Sequence, residues 1–406
     1  MKRVLLIAYH FPPLAGSSGI QRTLRLAQQL PQFGWQPTVL TCQSQAYERT
    51  SPDLAAELPA DLHVERAFAL DTARHLAIAG RYWGRLARPD RWMSWRWDAV
   101  RRGLRLIREQ RIDAIWSTYP IATAHTIGAE LAARSGLPWV ADFRDPMAQD
   151  GYPADPATHA AYCRIEEQVF GRARLATFTT PSALADYRAR FPKTSTRLEL
   201  LENGYDEASF GAAPQPEPLN PGRLTLLHSG IVYPSERDPT QLFEALAALK
   251  AQGLGERLRL RFRAAVHDEL LRQLGAQHQV TEMVEILPAV GYRQALAEMQ
   301  QADGLLVMQA RNCNAQIPAK IYEYLRAGPA VLVLADRAGD TAQVLRAAGL
   351  QQQAQLDEAS DIQGLLTRFA QDPTAPQWRP QPDAIQQASR LARSGQLASW
   401  LNQITS

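Results

Sequence analysis

The chain has 406 residues, 46% of them hydrophobic, and a formal net charge of +3. Such a length can bury more than one sizeable core and favours two domains, while the near-neutral balance provides no global field for nucleic acid. Three widely separated cysteines, Cys42, Cys163 and Cys313, fit a reduced, cytoplasmic protein better than a disulfide framework or a zinc site.

Two basic residues precede an apolar stretch at the start, "MKRVLLIAYHFPP". The apolar part, Val4 to Ala8, is too short for a secretory h-region and runs into Pro12-Pro13, so a buried first strand is expected. No run reaches the roughly 18 apolar residues that span a bilayer. After "RVLLIAY", a helix is expected from Ile20 to Phe33, ended by Gly34, and "QPTVLTC" reads as the next strand. This is a βαβ unit, whose parallel strands need a crossover.

The alternation recurs through "VRRGLRLIREQ", "IDAIWST", "ATAHTIGAELAARSG", "PWVADFRD", "EEQVFGRARL", "ATFTTPS" and "ALADYRARF" to "RLELLENG". Such repetition over half the chain indicates a doubly wound sheet. The Pro- and Gly-rich stretch 210–223, "FGAAPQPEPLNPGR", reads as a linker. Beyond it "LTLLHSGIV", "LRLRFRAAV", "VEILPAV", "GLLVMQA" and "PAVLVLA" read as strands separated by helices, and the tail carries an amphipathic helix. The expected layout is two Rossmann-like domains, 1–212 and 213–385, with a C-terminal helix at 386–406. In this fold class ligands sit beyond the carboxyl ends of the strands, here in a cleft between the two sheets.

Several short segments fall at those strand ends. In "FPPLAGSSGIQR", Gly16 and Gly19 allow close backbone approach, and the amides of Ser17, Ser18 and Gly19 suit an anion at a helix N-terminus. A capped flexible loop is the plainer reading. Arg22, one turn further, either reaches the same anion or lies solvated. "ADFRDP" brings Asp142, Arg144 and Asp145 to a strand end, as ligand contacts or as an internal Arg–Asp pair. "ENGYD" reads as a tight turn with positive φ at Asn203 or Gly204. "HSGIVYPSERDP" offers Gly230 for close approach and Arg237 as a cation. In "NAQIPAKIYEYLRAGPAVLVLA", Lys320 and Glu323 stand where a loop enters a helix, either as a helical ion pair or as ligand contacts. No acidic cluster has metal-ligand spacing.

Residues 74–111 differ in kind. Eleven arginines face three acids, Asp90, Asp98 and Glu109, interleaved with Tyr82, Trp83, Trp92, Trp95 and Trp97. Such a mixture suits either an anionic membrane surface or a solvated helix face with buried tryptophans.

Taken in order, "YHFPPLAGSSGIQR", "WVADFRDP", "LLENGYDEASF", "LLHSGIVYPSERDP" and "IPAKIYEYLRAGPAVL" resemble the retaining glycosyltransferases of family 4, which have the GT-B fold. The resemblance covers nearly the whole chain. It implies transfer of a sugar from a nucleoside-diphosphate donor to a glycan or lipid-linked acceptor, in polysaccharide or glycoconjugate biosynthesis, with no cofactor and no metal. The second domain would hold the donor through Ser229, Gly230, Arg237, Gln316, Ile317, Lys320 and Glu323. Glu323 would take the ribose hydroxyls, and Arg237 and Lys320 the diphosphate. The Gly16–Gly19 loop would close over donor or acceptor, while Arg22, Asp142 and Arg144 would contact the acceptor. His10 and Asp145 are further catalytic candidates on the acceptor side. The implied setting is cytoplasmic, with peripheral contact on the inner face of the plasma membrane through 74–111.

Two positions depart from the family pattern. Ala315 stands where many members carry the first Glu of a Glu-x7-Glu motif, and Ile231 where many carry an arginine. These departures keep two alternatives open, a non-catalytic sugar-nucleotide scaffold and a GT-B sugar-nucleotide epimerase.

Overall fold

The computed structural model describes residues 1–17, 19–52, 54–211 and 217–406. The chain divides into two compact units, Met1–Asn203 with Arg390–Ser406, and Gly204–Ser389.

The first unit is built on seven strands: β1 (Lys2–Ile7), β2 (Trp35–Cys42), β3 (His63–Ala67), β4 (Ala114–Thr118), β5 (Trp139–Phe143), β6 (Leu175–Phe178) and β7 (Arg197–Leu200). Their order in the sheet is β3-β2-β1-β4-β5-β6-β7, and every pairing is parallel. Alternate residues of β1 feed two separate cores. Leu5 and Ile7 join Leu40, Trp139, Phe143 and Tyr187 on one face. Val4 and Leu6 join Leu30, Trp35, Val39 and Trp116 on the other. Both faces are covered, which explains why the strand reads as a continuous apolar run.

The expected first helix forms as Gly19–Gln29, continued by a 3₁₀ turn Leu30–Phe33. Gly34 closes it at φ +82°, a left-handed position glycine takes without strain. The tail helix Arg390–Ile404 packs on the same side, burying Leu397, Ala398, Trp400 and Leu401. Ser394 donates to Gln29 at 2.8 Å, and the Trp35 indole donates to Asn402 at 3.1 Å.

The second unit has β8 (Leu224–Ser229), β9 (Leu258–Arg263), β10 (Val284–Leu287), β11 (Gly304–Gln309), β12 (Ala330–Ala335) and β13 (Gln353–Ala354). Their order is β10-β9-β8-β11-β12-β13, again all parallel. Leu306 and Met308 point into one core, Leu305 and Val307 into the other. On β9 the outward arginines are paired, Arg261 with Glu285 and Arg263 with Glu298, at 2.7 and 2.6 Å.

The unit boundaries correct the sequence reading. Tyr205 and Phe210 are already buried in a core of the second unit, and Ala388 is buried there too. The expected junction at 212/213 therefore lies inside that unit, and residues 386–389 belong to it rather than to the tail helix. Of the Pro- and Gly-rich stretch 210–223, residues 212–216 lie outside the described residues. The chain instead passes between units at Asn203–Gly204. Neither of these two residues has a positive φ, so the left-handed turn position expected there does not form.

Candidate functional site

In the second unit the strand order reverses between β8 and β11, the position where open parallel sheets take ligands. The main chain leaves β8 at Ser229 and turns at Gly230, with φ +129°, a conformation that L side chains rarely adopt. Lys320, the first residue of the helix Lys320–Ala327, reaches back over this turn. Its ammonium donates to the Ser229 carbonyl, and a Cβ on residue 230 would lie 2.0 Å from Lys320 Nζ. Tyr324, four residues on and fully buried, accepts from the Ser229 amide at 3.0 Å. Spacing of i and i+4 puts both side chains on one helix face, so a single helix fixes both main-chain polar groups of Ser229.

Burial pulls the Lys320 ammonium down from 10.5 to about 8, helped by the nearby Arg237 charge and opposed by Glu323. Arg237 has only 11% of its side chain exposed. It lies 5.5 Å over the Tyr233 ring and 3.4 Å from the Ile231 carbonyl. Glu323, half-buried, accepts from the Tyr292 hydroxyl at 2.7 Å. Beneath them His228 is buried, its Nδ1 3.0 Å from the Leu306 carbonyl. Burial first, then the Lys320 charge, hold this imidazole well below its usual range, so it is neutral.

The loop before Lys320 is pinned from below. Asn314 donates to Asp336 at 2.7 Å and accepts from the Asp340 amide at 2.8 Å. The Gln316 carbonyl accepts from Thr341 at 2.9 Å. Gln316 and Ala315 are exposed on this loop and Ile317 is half-buried. A cavity of about 460 Å³ opens beside it at the ends of β8, β11 and β12, lined by Asp238, Gln309, Asn312 and Asp336 among others. Neither Lys320 nor Glu323 lines it. Among the described residues no group of three or more His, Cys, Asp or Glu side chains could hold a metal ion.

The first unit has its own cluster at the equivalent reversal, β1 against β4. Gly19 opens the helix there, its amide 3.2 Å from the Ser17 hydroxyl. A Cβ at Gly19 would lie 2.2 Å from Arg144 Nη1 and 2.7 Å from His10 Nδ1. Arg144 Nη1 and His10 Nδ1 are 3.5 Å apart. Burial and the Arg144 charge lower His10 to about 4, leaving a neutral ring of little basicity. Burial also lowers Arg144, against the opposing pull of Asp145. Gly16 has φ +80° and is exposed, as is Asp145. Ser18 lies outside the described residues.

Arg22 and Asp142, expected to contact an acceptor, are placed elsewhere. Both are buried and bound to each other in two hydrogen bonds of 2.9 and 2.6 Å. Arg22 also donates to the carbonyls of Leu201 and Glu202, while Asp142 accepts from Thr118 and Thr177, each at 2.7 Å. Burial pushes the Asp142 carboxyl up, but Arg22 and the two hydroxyls outweigh it and hold it below its usual range. This knot joins β4, β5, β6 and the exit of β7; its reach is internal.

Sequence reading assigned no part to Tyr292, Tyr324 or His228. Tyr324 was findable as the i+4 neighbour of Lys320. Tyr292 comes from a different helix, Tyr292–Gln301, and no spacing signal joins it to Glu323.

The chain has the GT-B fold. Sucrose-phosphate synthase from Thermosynechococcus elongatus is similar over 99% of both chains, with a TM-score of 0.65 and 13% identity. A UDP-forming α,α-trehalose-phosphate synthase from Burkholderia xenovorans, in complex with glucose-6-phosphate, is similar over 99% of this chain and 100% of its own. Its TM-score is 0.64 at 10% identity. A Listeria monocytogenes protein provisionally described as a UDP-N-acetylglucosamine 2-epimerase matches 99% of this chain and 96% of its own, with a TM-score of 0.56 and 13% identity. Residues 18–204 match the family profile described as a glycosyl transferase 4-like domain. No curated protein sequence matches the chain significantly.

Proposed function

We propose that the chain is a retaining, metal-independent glycosyltransferase that moves a sugar from a nucleoside-diphosphate sugar to a glycan or lipid-linked acceptor in glycoconjugate biosynthesis. One observation carries this reading: at the carboxyl end of β8, Lys320 lies over Gly230, Arg237 sits against the next carbonyl, that of Ile231, and Glu323 stands one turn from Lys320. Two cations beside a backbone with no side chain suit a diphosphate, and a carboxylate at that distance suits ribose hydroxyls. The glycosyl transferase 4-like match of residues 18–204 supports the same class.

In the proposed reaction the bond between the anomeric carbon and the phosphate oxygen breaks. The acceptor hydroxyl bonds to that carbon, and its proton passes to the departing phosphate. Negative charge grows on the diphosphate as it leaves, so Lys320 and Arg237 stabilise the transition state more than the bound donor. No protein carboxylate is needed as nucleophile. Arg22 and Asp142 act by holding the strand ends beneath His10, Gly19 and Arg144, and Arg144 is the acceptor-side cation. The acceptor reading also carries the membrane contact of residues 74–111.

Thermal shift against nucleoside diphosphates tests the donor half, since native-state binding raises stability by mass action. Turnover with a sugar nucleotide and acceptor panel should survive EDTA; loss with EDTA and recovery with Mg²⁺ would overturn the metal-independent reading. The epimerase neighbour motivates one second reading, in which sugar nucleotides incubated alone yield an isomer. Tight binding without turnover over any acceptor would instead favour a scaffold, for which Ala315 and Ile231 are the motive.

A further inference from the structure

Between β3 and the helix Trp95–Gln110 the chain makes an excursion whose neck is closed. The hydroxyl of buried Thr72 lies 2.8 and 2.9 Å from the carbonyls of Leu86 and Arg91, with one proton to share between them, and its amide donates to the Arg91 carbonyl. At the far end Ile78 and Arg81 exchange both main-chain hydrogen bonds, 2.8 and 3.0 Å. Ala79 and Gly80 form the turn with φ of 51° and 75°, the two left-handed positions that a tight hairpin requires. The tip is therefore pre-formed.

What it presents is apolar. Ile78 is 83% exposed and Trp83 69%, with Leu76, Tyr82 and Leu86 also exposed. Between Thr72 and Pro89 there is no acidic residue, against Arg74, Arg81, Arg85 and Arg88. The Arg85 guanidinium lies 5.3 Å over the Trp83 ring. Among the described residues neither Arg81 nor Arg85 pairs with a carboxylate. On the neighbouring helix Trp97 is exposed, but most of the arginines are paired: Arg96 with Glu130, Arg101 and Arg102 with Asp98, and Arg105 with Glu65. Its Trp95 is buried in the core.

We propose that the strap 76–88, and not the arginine-rich helix after it, docks the protein on an anionic lipid surface. Ile78, Trp83 and Leu86 enter the apolar layer while Arg81 and Arg85 meet phosphates at its boundary. The proposal rests on the membrane contact suggested above and narrows it to one device. Charge complementarity selects the occupant. A second copy would bring an equally basic strap and repel, whereas anionic lipid offers an apolar interior beneath a negative layer. Aromatic rings with one polar edge favour that boundary, and a closed hairpin loses little freedom on docking.

The test is co-flotation of the full chain with phosphatidylcholine vesicles, with and without phosphatidylglycerol, at low and high salt. Wild type is expected to float with the anionic vesicles and to detach as salt rises. Ile78→Ser with Trp83→Ser should lower partitioning at least about tenfold with an unchanged melting temperature, while Arg101→Gln with Arg108→Gln should bind like wild type. If the strap variant floats like wild type and the helix variant does not, the strap is wrong and the membrane reading stands. If wild type floats with neither vesicle, both fail, while nucleoside-diphosphate binding still judges the transferase reading separately. A concentration-dependent dimer abolished by the strap substitutions would also overturn the proposal.

Discussion

Replacing Lys320 by Met should make the ligand-free protein more stable and the enzyme nearly inactive. The amine is held at about 8, far below 10.5, so the folded state opposes its charge. Between those two values the unfolded chain keeps a proton that the folded chain has released. This group's contribution to stability therefore rises with pH across that window, and its full cost is felt below pH 8. The difference corresponds to about 3 kcal/mol, reduced by partial solvent access. Methionine removes that cost but leaves the Ser229 carbonyl without its donor, worth about 1 kcal/mol. The expected net gain is about 1–2 kcal/mol at pH 7, shrinking toward pH 10. Urea unfolding of both proteins at several pH values reads it directly. Under the proposed donor role, in which this cation acts on the departing diphosphate, turnover should fall about 10²-fold. In the wild type, nucleoside-diphosphate affinity should weaken about tenfold per pH unit above 8, as binding there must first take up a proton. A Lys320→Met protein that is less stable at pH 7 and binds nucleoside diphosphates like wild type would make the lysine a simple pin for Ser229 and exclude its donor role.

Glu323→Ala should weaken nucleotide binding by about 1.5–3 kcal/mol with a smaller effect on turnover of bound donor, and Tyr292→Phe by about 1 kcal/mol, both measurable by titration. Gly230→Ala must strain φ +129° and displace Lys320 Nζ; a loss of about 1–3 kcal/mol in stability is expected, with turnover reduced alongside. Arg22→Ala or Asp142→Ala should each cost about 3–5 kcal/mol in urea unfolding, since either leaves a buried charge unpaired. The double variant should cost clearly less than the sum. An additive result would show the pair to be uncoupled.

The two parallel sheets, and the strand ends where polar residues gather, are legible in the residue pattern alone. Buried strands such as β1, β11 and β12 must be apolar on both faces, and the glycines at 16, 34 and 230 mark left-handed turns. It did not disclose β3 or β13. Both are sheet-edge strands: β3 sets Glu65 and Arg66 side by side and buries only Ala67, and β13 is two residues long. Neither leaves a periodic signal. The unit boundary also escaped it, because a Pro- and Gly-rich stretch marks irregular chain whether or not that chain crosses between units, and burial of Tyr205, Phe210 and Ala388 is a property of packing alone. The same holds for charge. Sequence can place Arg22, Asp142, Arg144 and Lys320 near strand ends, but cannot say which cations have partners. Asp142 lies 120 residues from Arg22, and only the assembled sheet brings them together, neutralising one cation internally while Lys320 stays against the Ser229 carbonyl with no carboxylate bound to it among the described residues.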